Sequence, residues 1–299
     1  MADEAMIQEF NQMEDYSDDE YIVRRKRPPE PMMVVVPSEL AKTSAELLEQ
    51  MRAKAPRVAC FAHPAVAPYV ANALLAIGAE PAFAEDSGEA TQLATESDVL
   101  FACVGAISKP QAEAVRAAVA RSNASQKPWS LDPDDSGVLS LRSYVAKELM
   151  RRYPAIIRGN PSEILALSGL EVMDDDATLT AARRLAEVTR AAVVMTGAAD
   201  RVCGENAPVS VIANGTPLLA RVTGIGAVQG AIGAAILAVT GRAKRYEAAA
   251  ATSLITSIAG EIAATRAKSP GSFSLAFIDA LSDLKPGDVA KRAKIEVLE

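Results

Sequence analysis

Polar and small residues gather at the ends of short apolar runs in this chain, and their types suit phosphate and metal chemistry. In "VTGIGAVQG", residues 222–230, two glycines turn an extended segment into a helix of small residues. Such a turn offers free backbone N–H groups and the positive end of a helix dipole, which stabilise a phosphate or an oxyanion. Gly224 and Gly226 are therefore the candidate anion hole. The stretch lacks the Lys-Ser/Thr of a P-loop and the third glycine of a dinucleotide fingerprint, and tight packing of a buried helix calls for the same residues.

Three more segments bring chemistry to what reads as the same sheet edge. "IRGNPSEI" carries Arg158, Asn160 and Glu163 between a strand end and a helix start, where ligands meet parallel sheets. Asn160 also suits an N-cap before Pro161, and Glu163 the first helical turn. "LDPDDSG" places Asp132 at a strand end with Asp134 and Asp135 behind it, which suits Mg²⁺ held through few protein oxygens or an ordinary acidic turn. "MTGAAD" adds Thr196 and Gly197, which are able to approach a phosphate. His63 follows the strand-like "RVACFA"; a single histidine with no visible partner serves structure more often than catalysis.

The elements that position these residues alternate short apolar runs with amphipathic or Ala-rich helices from Ser38 onward, the pattern of βα units on a mostly parallel sheet. Strands are expected at "RVACFA", "EPAFA", "DVLFACVG", "PWSLDP", "AIIRG" and "AAVVMTG", with "EPAFA" and "DVLFACVG" following one another directly. "RVCGENAPVSVIANGTPLLARVTG" breaks the rhythm and predicts short β segments in antiparallel hairpins at the sheet edge. Helices follow to the end, the last one charged.

The chain has 299 residues and a net charge of −7, so nothing in its charge attracts nucleic acid or an anionic membrane. The uncharged run Val222–Thr240 approaches a membrane span in length, but four glycines and Gln229 favour a buried helix. Cys60, Cys103 and Cys203 lie far apart, without a disulfide or zinc pattern, and no basic-apolar signal opens the chain; a cytoplasmic location is expected. Residues 1–36 form a separate extension with nine acids and four bases, leaving −2 for the domain at 37–299. That extension is expected to be disordered or to dock a protein partner through Ile7, Phe10, Met13, Tyr16 and Tyr21.

In order, "ANALLAIGAEP", "PWSLDP", "IRGNPSEI", "TG", "NGTPLL", "VTGIGA", "AGEIAA" and "PGSF" make the chain resemble the hydroxyethylthiazole kinase family across about Ser38 to Asp283. The resemblance implies a ribokinase-like three-layer α/β fold with a mostly parallel central sheet and helices on both faces. It further implies a homotrimer with active sites between subunits, and ATP-dependent phosphorylation of a thiazole alcohol in thiamine salvage. It assigns Arg158 and Thr196 to ATP, with Asn160 and Gly197 beside them. Asp132 and Glu163 go to the magnesium environment, and Gly224 and Gly226 to the anion hole.

The alcohol side departs from the family. Thr-Asn becomes Ala62-His63, Asn-x-Thr becomes Pro68-Tyr69-Val70, Asn-Ile-Gly-Thr becomes Cys103-Val104-Gly105-Ala106, and a thiazole-side Met becomes Phe83. The small neutral loop after "LDP" becomes Asp134-Asp135-Ser136, and the family's Gly-x-Gly-Cys ends in Ala227, which accepts no proton. These departures predict a catalytically impaired or inactive member, kept as a nucleotide-binding or structural subunit. The alternative is an active kinase on hydroxyethylthiazole or another small alcohol, with His63, Asp134 or Asp135 in place of the missing base. A filled cleft lined by Ala227, Val70, Ala106 and Phe83 would count against the kinase.

Overall fold

The computed structural model describes residues 32–170 and 175–298. The first half runs α1 (Pro37–Lys54), β1 (Arg57–Phe61), α2 (Ala67–Ile77), β2 (Glu80–Phe83), α3 (Ser87–Glu96), β3 (Val99–Cys103), α4 (Lys109–Ala124), β4 (Trp129–Asp132) and α5 (Ser140–Met150). The second runs β5 (Ile156–Gly159), α6 (Pro161–Ser168), α7 (Asp175–Thr189), β6 (Ala192–Met195), β7 (Asp200–Cys203) and β8 (Val209–Ile212). A 3₁₀ turn at Pro217–Arg221 leads into α8 (Ile225–Thr240), α9 (Arg245–Arg266), α10 (Pro270–Asp283), α11 (Pro286–Arg292) and β9 (Ile295–Leu298).

The strands lie in the order β2-β1-β3-β4-β5-β6-β7-β8-β9. Those from β2 to β6 are parallel, and β7, β8 and β9 add antiparallel pairs. Helices cover both faces because the parallel strands are apolar on both. Val58 and Cys60 of β1 pack with α1, α2, α8, α9 and α10, whereas Ala59 and Phe61 pack with α3 to α7. The fold is thus the three-layer α/β arrangement the sequence predicts, with its antiparallel hairpins at one edge.

Two elements depart from the sequence reading. Between β2 and β3 the chain forms α3, started by Asp86, whose carboxylate accepts from Gly88 N (2.8 Å) and Glu89 N (3.1 Å). Its buried stripe is only Ala90 and Ala94, too small to stand out as a hydrophobic period. After the last helix comes β9, whose alternating Ile295, Glu296, Val297 and Leu298 pair with β8. Within the run Val222–Thr240, residues Ile225–Thr240 form α8, buried from Ile225 to Leu237 except at Gly226.

At the N-terminal side, Met33 and Val35 pack against the core and Met33 N donates to Asn206 O at 2.8 Å. The proposed docking residues Ile7, Phe10, Met13, Tyr16 and Tyr21 lie outside the described residues.

Candidate active site

The C-terminal ends of β4, β5 and β6 meet the N-terminus of α8, and the polar residues converge there. Gly224 takes φ +94°, a left-handed conformation that glycine adopts without a Cβ penalty, and this turns the chain into the helix. The first intrahelical bond runs from Val228 N to Gly224 O at 2.9 Å, so the N–H groups of Ile225, Gly226 and Ala227 precede the ladder. A Cβ on Gly226 would sit 2.6 Å from Arg158 Nη1. The guanidinium therefore lies directly against the glycine, and cation and backbone donors border one space.

Arg158 is fixed from three sides. Its Nε donates to Gln229 Oε1 (3.1 Å), Nη2 to Thr196 Oγ1 (3.4 Å), and Nη1 meets Asp132 Oδ2 (3.4 Å). Burial works against its charge, yet the Asp132, Glu163 and Asp200 carboxylates outweigh that, and its pKa rises. Asp132, 1% exposed, is pushed to a pKa of about 7 by burial, with Arg158 opposing and Glu163 and Asp134 adding to the rise. Thr196 Oγ1 also donates to Gly159 O at 3.3 Å, and Gly197 N donates to Asp200 Oδ1 at 3.2 Å.

Asn160 and Glu163 form a reciprocal cap on α6. Glu163 N donates to Asn160 Oδ1 (3.0 Å), and Asn160 N donates to Glu163 Oε2 (2.8 Å). The Asn160 side chain is thereby engaged in starting the helix. Glu163 Oε1 accepts from Asp135 N (3.1 Å), which draws the loop after β4 over the start of α6. As a result the carboxylates that share one space, each with an oxygen within 4.8 Å of the others, are Asp134, Asp135 and Glu163. Asp132 instead faces Arg158. Asp135 is paired with Arg142 (2.7 Å).

Beyond the β4 loop lies a cavity of about 350 Å³ lined by Cys60, Phe61, His63, Phe83, Glu85, Cys103, Gly105 and Gln111, among others. His63 reaches it, with Nδ1 accepting Ala65 N at 3.1 Å. Ala227 is buried in the core at the start of α8, and Val70 lies fully inside the core. Of Ala227, Val70, Ala106 and Phe83, whose filling of the cleft would count against the kinase, only Phe83 lines this cavity, which is open.

Two residues escape the sequence reading. Gln229 Nε2 donates to Asp200 Oδ2 (2.8 Å) while its Oε1 receives Arg158, so it relays the guanidinium to a second buried carboxylate. Burial raises the Asp200 pKa, and the hydrogen bond from Gln229 opposes it. The available signal was an amide one turn into an otherwise apolar helix.

The model of the Hydroxyethylthiazole kinase family matches residues 48–287. The chain belongs to that family. It is 38% identical over 266 residues to a hydroxyethylthiazole kinase of Akkermansia muciniphila, covering 86% of this chain and 97% of that one. The solved hydroxyethylthiazole kinase protein of Pyrococcus horikoshii OT3 superposes with a TM-score of 0.81 at 30% identity, over 86% of this chain and all of that one. A ribokinase-like superfamily protein of Enterococcus faecalis, at 16% identity and TM-score 0.58 over 81% of this chain and 95% of that one, shares the fold. The ribokinase-like architecture read from the motifs is therefore the fold of this chain.

Proposed function

We propose that this protein is an active ATP-dependent kinase that phosphorylates the primary alcohol of hydroxyethylthiazole or a related small alcohol, as part of thiamine salvage. The observation that carries it is Arg158 held against Gly226 beside free N–H groups, with an open cavity across the β4 loop. Family membership favours this alternative over the impaired subunit.

Arg158 and Thr196 would hold ATP phosphates, with Gly197 alongside, and the first turn of α8 would face the transferring group. The donor set of Asp134, Asp135 and Glu163 is all oxygen, which fits Mg²⁺, while Asp132 stands beside it against Arg158. Bound there, the ion would neutralise phosphate charge. Ala227 removes a side-chain base but retains its N–H; such a loss costs about 10²–10⁴-fold, whereas positioning and charge stabilisation supply most of phosphoryl-transfer catalysis. His63, Asp134 and Asp135 remain the substitutes within the same site. A homotrimer in the cytoplasm completes the reading.

The second reading, a nucleotide-holding subunit without turnover, rests on Ala227 together with the other departures at Ala62-His63, Pro68-Tyr69-Val70, Cys103-Val104-Gly105-Ala106, Phe83 and Asp134-Asp135-Ser136. Coupled ADP release on adding hydroxyethylthiazole to protein and MgATP separates the two. The kinase reading expects release that disappears in Arg158→Ala; MgATP binding without release would leave the second reading standing.

A further inference from the structure

Gln229 lies one turn into α8, buried in a helix whose other buried residues are apolar or glycine. A leucine or methionine would fill such a position, and an amide there costs free energy unless both its ends are met. Both are met: Oε1 accepts from Arg158 Nε at 3.1 Å, and Nε2 donates to Asp200 Oδ2 at 2.8 Å. Asp200 is itself buried, and its other oxygen accepts from Gly197 N at 3.2 Å. Hydrogen bonds therefore run from Thr196 through Arg158, Gln229 and Asp200 to Gly197, and tie the loop after β6 to the first turns of α8.

The ends of this chain fix the direction of its middle. A guanidinium only donates and a carboxylate only accepts, so the amide must turn its oxygen to Arg158 and its nitrogen to Asp200. The bond at Nε is also the shortest of the three side-chain contacts of Arg158, since Nη1 and Nη2 reach Asp132 and Thr196 at 3.4 Å each. The guanidinium is thus clamped at Nε. Its Nη ends, which lie against Gly226, have the looser contacts that a bound phosphate can share.

Building on the kinase reading, we propose that Gln229 is a positioning residue for phosphate binding: anchored by Asp200, it holds the Arg158 guanidinium against Gly226 with its Nη groups set for the phosphates of MgATP. The amide acts only through Arg158. Asp200 decides which way the amide points, and through Gly197 N it keeps the loop after β6 in register with the helix. A cation held in place before the nucleotide arrives loses little freedom on binding it.

The test is calorimetric titration of the full chain with MgATP, set beside urea unfolding of the same variants. Gln229→Met keeps the length of the side chain and removes both hydrogen bonds; the MgATP Kd is expected to rise about tenfold, as for the loss of one hydrogen bond to a charged group. Asp200→Asn keeps the shape but sets an NH₂ against either the Gln229 amide or Gly197 N, and raises the Kd by a similar factor. In the Gln229→Met background the same change is silent, because the asparagine is then free to turn its oxygen to Gly197 N. In ADP-release kinetics the KM of MgATP rises with the Kd, and that of hydroxyethylthiazole does not. An unchanged Kd in Gln229→Met, with lower stability in urea, would make the residue a packing element and overturn the assignment. Losses that add in the double variant overturn it too. If Gln229→Met does not fold, Asp200→Asn decides alone, an unchanged Kd again overturning the assignment. MgATP bound by the wild type without ADP release overturns only the kinase reading, because the calorimetric comparison needs no turnover; a wild type that binds no MgATP overturns both.

Discussion

Gly226→Ala is a perturbation whose sign the site decides. Residue 226 is in the first turn of α8, and its backbone φ is not left-handed, so alanine by itself would stabilise the helix by about 0.5–1 kcal/mol. The added methyl would sit 2.6 Å from Arg158 Nη1, 2.9 Å from Nη2 and 3.0 Å from Cζ. Restoring ordinary contact moves the guanidinium by most of an ångström. Its bonds to Asp132 and Thr196 are already at 3.4 Å and have no slack. Breaking a buried charge pair by removing one partner costs about 3–5 kcal/mol; displacement that leaves the partner nearby costs roughly half, about 2 kcal/mol. The net expectation is a loss of about 1 kcal/mol in urea unfolding, together with a roughly tenfold weaker MgATP affinity by calorimetry. A variant more stable than wild type, with unchanged MgATP affinity, would refute the placement of Arg158 against this glycine.

Other expectations follow from the same contacts. Asp132 has a folded pKa of about 7, above its unfolded value of about 3.9, so the folded state binds the extra proton between these pH values. Its contribution therefore favours folding below pH about 4 and is lost as pH rises through 7; Asp132→Asn should flatten stability against pH across that window in urea titrations. Asn160→Ala removes the side-chain half of the α6 cap and should cost about 1 kcal/mol in the same assay, while a change below a few tenths would mean the cap is idle. Gly105→Ala would put a methyl on the cavity wall against the Asp134 carboxylate and should raise the KM of the alcohol several-fold in ADP-release kinetics, whereas an unchanged KM would mean that the alcohol does not use this cavity.

The architecture was legible because βα alternation leaves long apolar runs and helical periods that survive without neighbours, from "RVACFA" to "AAVVMTG". What escaped was short or small: α3 buries only two alanines, and β9 is four residues that gain meaning from β8 beside them. Within the site, Arg158, Thr196, Asp132 and Gly226 were legible as strand-end and helix-start residues. The partition of the carboxylates was not. It depends on a loop that folds back through left-handed backbone at Asp135 (φ +57°) and Gly137 (φ +96°), bringing Asp134 and Asp135 to Glu163 while Asp132 turns to Arg158. Gln229 and Asp200 escaped because each joins the site only through a contact distant in sequence.

On the proposed reading, a chain with Ala227 at the start of α8 still transfers phosphate. It is tested most directly by incubating the full chain with MgATP and hydroxyethylthiazole and looking for the alcohol monophosphate by mass spectrometry. Wild type is expected to yield the monophosphate and Arg158→Ala to lose it. MgATP bound tightly, with the alcohol recovered unchanged, would contradict it.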